Sequence, residues 1–82
     1  MSTQSPTEFV RRYQLLEGVE RDIFHRVAKG MTNLQIVDEL HIRLIEVKGH
    51  RQRVINFLGV KDAIELMRLA RETDLLQPAP PS

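Results

Sequence analysis

A chain of 82 residues with a formal net charge of +1 makes one domain, with little room for a second. The absence of Cys excludes disulfides and thiolate metal sites, and 5% aromatic content without Trp argues against a stacking platform for single-stranded nucleic acid. No apolar run approaches the roughly 18 residues of a membrane span, and the N-terminus lacks the basic and apolar regions of a secretory signal. A cytoplasmic protein with no membrane partner is expected.

Ser5-Pro6-Thr7-Glu8 predicts a helix start: Ser5 can cap, Pro6 suits the first helical position, and Glu8 stands where a capping box needs it. Phe9, Tyr13 and Leu16 then recur at i, i+4 and i+7 as one apolar stripe. Gly18 separates this helix from the next. Val19, Ile23 and Val27, flanked by Phe24 and Ala28, form a second stripe, and Gly30 is placed to end it in left-handed backbone. Thr32 and Gln35 make a further capping box. The short helix it opens ends near Leu40, and His41-Ile42-Arg43 is the turn. The first turn residue in such motifs often needs positive φ, which His tolerates better than most non-glycine residues. A long helix follows from about Leu44 to Phe57 and stops at Gly59. The last helix begins near Asp62, with Glu65 three residues on as another capping box. Residues 74–82, with a Pro-rich run from Gln77 to Ser82, read as a disordered tail.

Residues 32–59 carry the functional signal. Ile36, Leu40, Ile42 and Val47 close a short helix onto a longer one. Val47, His50, Val54 and Leu58 share the inner face of the long helix, which leaves residues 45, 48, 49, 52, 53 and 56 outward. A rigid helix that presents donors and positive charge, braced by a second helix, meets the physical requirement for entering a DNA major groove. Residues 43–61 hold five bases (Arg43, Lys48, Arg51, Arg53, Lys61) against one acid, Glu46, whereas residues 14–42 hold three bases against five acids. This footprint suits a phosphate-facing surface and equally a solvated helix face. Gly49 lowers helix propensity by roughly 1 kcal/mol relative to Ala. It fits a close approach of the backbone to something else, or a tolerated defect.

Other chemistry is thin. His25, His41 and His50 show no i, i+4 pairing, so no metal is expected, and His50 reads as a packed residue beneath the long helix. No nucleophile–base pair, carboxylate dyad or Gly-rich phosphate loop is present, so no catalytic residue, enzyme activity or cofactor is expected. On the last helix Ala63, Leu66, Met67 and Ala70 share one face, with Ile64 and Leu69 on its flanks. That arc is wider than one packed stripe requires. Its expected cover is a symmetry mate, with burial of both flanks against the N-terminal helix as the alternative. Ile64, Met67 and Leu69 are the dimer candidates, although Met31 and Met67 also read as gap-filling core residues.

Residues 16 to 70 resemble the LuxR-type (GerE-like) DNA-binding domain of bacterial transcription regulators. The resemblance rests on Glu20, Val27-Ala28, Gly30, Thr32-Asn33, Ile36, Leu40 and Ile42. It continues through Val47-Lys48, His50, Val54, Leu58-Gly59-Val60, Glu65-Leu66 and Ala70. It implies an all-α fold: a four-helix helix-turn-helix domain over 16–73, with its motif at 32–51, preceded by an extension at 1–15 with a short helix. It also implies that Lys48 and Gln52 read bases, that Gly49 lies against base edges, and that Thr32, Asn33, Arg51 and Lys61 lie near phosphates. Arg53 on the outward face joins the phosphate set. The final helix would form a homodimer. The chain departs from the family pattern at Glu46 (usually Thr), Arg43 (usually a Ser or Thr cap), Val37 (usually small) and Phe57 (usually Lys). These departures lower the positive charge offered to DNA and remove one helix cap, worth about 1 kcal/mol.

Two functions follow. The first is a sequence-specific transcription regulator, or the output domain of one, that binds double-stranded DNA as a dimer with the helix 44–57 in the major groove. The second is a protein-interaction module, an anti-activator that pairs with a related full-length regulator through its last helix and binds DNA weakly or not at all.

Overall fold

The computed structural model describes residues 5–75, and these form five helices without a strand among them. They are α1 (Pro6–Tyr13), α2 (Gly18–Ala28), α3 (Asn33–Leu40), α4 (Leu44–Leu58) and α5 (Ala63–Glu72). The fold is all-α, as expected. None of these helices is long and apolar enough to cross a membrane.

Three of the helices, α1, α3 and α5, begin on a side-chain cap that the local sequence encodes. The Ser5 hydroxyl accepts the Glu8 N–H at 3.2 Å, but the Glu8 carboxylate turns to Arg11 and Arg12 and supplies no return bond. The Thr32 hydroxyl accepts the Gln35 N–H at 3.2 Å while the Gln35 side chain accepts the Thr32 N–H at 2.8 Å, a complete capping box. Asp62 accepts the Glu65 N–H at 2.9 Å, and Glu65 reaches past the cap to the Lys61 N–H at 2.6 Å. His41 (φ 57°) ends α3, and Gly59 (φ 75°) ends α4 as expected, with Leu58 rather than Phe57 its last helical residue.

α2 lies at the centre, packed against α4 and α5, while α3 rests on α4. Ile23, Phe24 and Val27 from α2 meet Ile36, Val47, Val54, Leu58, Leu66 and Leu69 in one core. α1 shares that core. Phe9 is fully buried, with its ring 6.0 Å from Phe24, and Tyr13 stacks at 4.8 Å from the same ring. The Tyr13 hydroxyl is bonded to His25 Nε2 at 3.0 Å, and Arg12 donates to the Phe57 carbonyl at the end of α4 at 3.0 Å. Asp74 and Leu75, read from sequence as the start of the tail, continue from α5. Leu75 donates its N–H to Ala70 and lies against the core. The rest of that tail, 76–82, lies outside the described residues.

Candidate nucleic-acid interface

The register of α4 sorts its side chains by sign and polarity. Val47, Val54, Ile55 and Leu58 point into the core, and His50 is half-buried. One helical turn apart on the other side, Ile45, Lys48, Gly49, Gln52, Arg53 and Asn56 are all exposed. Two features aim this face. The tight turn depends on left-handed backbone at His41 (φ 57°, ψ 40°), whose N–H donates to the Val37 carbonyl at 2.9 Å. Behind the helix, Ile36 and Val47 are both fully buried in the core that α2 and α3 share with α4.

The start of α4 lacks the side-chain cap, as the departure at Arg43 implies. Arg43 is the N-cap, and its guanidinium has only donors, so it cannot accept an N–H from the first turn. The Glu46 carboxylate makes only the return half of a capping box, accepting the Arg43 backbone N–H at 2.9 Å, with the Arg43 guanidinium 3.7 Å away. That backbone hydrogen bond first, and the positive charge of Arg43 after it, hold the Glu46 carboxyl below its ordinary value. The acid that departs from the family pattern therefore ties down the N–H of the capping residue.

The remaining candidates divide by what already holds them. Arg51 donates to the Asn33 side chain at 2.7 Å, which joins two phosphate candidates from α3 and α4 into one donor-bearing edge. Thr32 has both its hydroxyl and its N–H engaged in the capping box beside them. Gln52 donates to Asn56 at 3.1 Å along the helix. Lys48 and Lys61 are exposed. A Cβ built on Gly49 meets nothing within 4 Å, so the packing of the domain does not require glycine there.

Arg53 is shared with an acid that sequence reasoning gave no role. Glu20 of α2 lies 3.8 Å from Arg53 and 3.7 Å from His50 Nδ1, a buried atom with no hydrogen-bond partner. No spacing rule announces this group, because its members lie about thirty residues apart and only the packing of α2 on α4 joins them. Among the described residues no cluster of three His, Asp or Glu could hold a metal.

The dimer candidates on α5 do not share one surface. Leu69 is 1% exposed and belongs to the core with Leu66 and Ala70, which corrects its expected place at an outer flank. α1 and α2 both pack on α5 and cover that side. Met67 is half-buried, with its terminal methyl 3.6 Å from where a Cβ on Gly30 would stand. Ile64 alone of the three is open, at 76% exposure.

The family described as "Bacterial regulatory proteins, luxR family" matches residues 17–70, from the N-cap of α2 to the inner face of α5. The chain belongs to this family. Helices α2 to α5 make up the LuxR-type helix-turn-helix domain, in which α3, the His41 turn and α4 form the motif, and α1 lies outside the family match. Among curated proteins it is similar to the oxygen regulatory protein NreC of Staphylococcus aureus, in strains JH9 and USA300 among others. The identity is 28% over 76 residues, which covers 93% of this LuxR-family chain and 35% of NreC. The chain thus spans about a third of the length of the curated relatives it matches. No solved structure matches it.

Proposed function

We propose that this chain acts as the DNA-binding part of a sequence-specific transcription regulator, with α4 lying in the major groove of a duplex. The observation that carries this reading is the outward face of α4, where Lys48, Gly49 and Gln52 are exposed together on a helix braced from behind. Lys48 supplies donors for guanine acceptors, and Gln52 has the donor and acceptor that an adenine edge requires. Arg51 with Asn33, Thr32, Arg53 and Lys61 flank that face and supply contacts to phosphate. These fix register and give most of the affinity, because each neutralised phosphate releases counterions. A homodimer through α5 would set two such helices on an inverted repeat, with Ile64 as its open apolar contact and Met67 beside it.

A second reading, an interaction module that pairs with a related regulator, is favoured by the negative charge of Glu46 on the leading turn and by the Glu20–Arg53 pair. Titration on duplex DNA across a range of salt separates the two. The DNA reading predicts binding whose logarithm falls linearly with the logarithm of salt concentration. Absence of binding to any duplex at low salt, together with co-purification of a full-length regulator, would establish the second reading instead.

A further inference from the structure

We propose that Ile45 is a specificity-determining residue that reads the 5-methyl group of a thymine in the major groove. This rests on the DNA-binding reading above and extends it to a residue outside the polar set.

Ile45 is 68% exposed on the first turn of α4. It stands one turn before Gly49 and two turns before Gln52, with Lys48 at i+3, so it lies in the same row as the candidate base readers. An exposed isoleucine gives nothing to helix propensity, in which it ranks below the straight-chain residues, and at this exposure it adds little to the core. Its surroundings narrow the choice of occupant. Lys48, Arg51 and Arg53 follow on the same helix against the single acid Glu46, so a partner on this surface is anionic overall and offers an apolar point opposite Ile45. Duplex DNA has that combination: phosphates flank the groove, and the thymine methyl is the apolar group on its floor.

Gly49 supplies an independent observation. Beyond the adjoining backbone of its own helix, a Cβ there would meet nothing within 4 Å, so the missing side chain serves no packing need inside the domain. It leaves a step beside Ile45 that lets the helix axis settle closer to the base edges. At that depth a branched side chain on the leading turn reaches a methyl group.

Replacing thymine by uracil removes this methyl and leaves the hydrogen-bonding edge of the base unchanged. The experiment takes a duplex recovered by selection from a random pool and substitutes each thymine in turn by uracil. Wild-type chain and Ile45→Ala are then titrated on every substituted duplex. Ile45→Ala keeps the fold, since the residue is exposed and Ala is the better helix former, and its circular dichroism verifies this. The expected result is one thymine in each half-site whose replacement weakens wild type about four-fold, the equivalent of one buried methyl group, and leaves Ile45→Ala unaffected. Uracil scans that leave wild type unchanged, or that weaken both proteins alike, overturn the role of Ile45 while DNA binding stands. Failure of wild type to retain any duplex at low salt overturns DNA binding itself, and this inference with it.

Discussion

The carboxylate of Glu46 is fixed to the Arg43 N–H at the mouth of α4, next to Ile45, and this one group is expected to act on both stability and affinity. Its folded-state pKa lies below the ordinary value of 4.5, so the stability it contributes is complete above that value and is lost as pH falls through the folded one. Glu46→Gln keeps an acceptor for the cap but removes the charge. It is expected to flatten the acid side of the stability profile, read by urea midpoints at acidic and neutral pH, and to tighten binding to every duplex at neutral pH. An unchanged affinity would mean that residue 46 does not face phosphate. The proposed base-reading side chains are expected to behave differently. Lys48→Ala and Gln52→Ala are expected to relax preference at particular base positions, by about 1–3 kcal/mol each where the contact is bidentate. Arg51→Ala is expected to weaken all sequences alike and to reduce the salt slope by about 1. A competition panel of single-base variants, titrated at two salt concentrations, distinguishes these patterns.

Among the elements, α1 and α5 reach beyond the motif. Phe9 fills the space between α1 and Phe24 without exposed surface, so Phe9→Ala is expected to destabilise the domain by about 3–5 kcal/mol in urea unfolding. A near-zero effect would show that α1 is dispensable to the core. What the sequence disclosed about these elements was whatever is encoded within one or two turns. The Thr32–Gln35 capping box, the left-handed backbone at His41 and the outward row of α4 are all fixed by spacings of three, four or seven residues or by a single φ angle. Contacts set by packing left no such trace. Arg12 reaches the Phe57 carbonyl across 45 residues, Arg51 finds Asn33 across 18, and Glu20 serves both His50 and Arg53 from another helix. Leu69 looked like an outer flank because helical periodicity gives the angle of a side chain but not the number of helices that surround it. Two helices pack on α5, and the leucine turned inward.

At the scale of the whole molecule, residues 43–61 hold five bases against the one acid Glu46, while the acids Glu17, Glu20, Asp22, Asp38 and Glu39 lie on α3, on α2 and at its entry. On the proposed reading, that asymmetry would orient an approaching polyanion toward the face with Lys48 and Gln52 even though the net charge is only +1. Pairing of two copies would double the contact area and fix the spacing between half-sites. Ile64→Asp is therefore expected to abolish self-association in sedimentation while the thermal unfolding midpoint stays near that of wild type. Leu69→Ala is expected to lower stability by about 2–5 kcal/mol instead. The central claim, that α4 presents a base-reading face to a duplex, is tested most directly by selection of bound sequences from a random pool of double-stranded DNA at low salt. The account predicts recovery of an inverted repeat whose half-site preferences weaken when Lys48 or Gln52 is replaced by Ala; a pool that emerges unenriched, with no duplex retained by the wild-type chain, would contradict it.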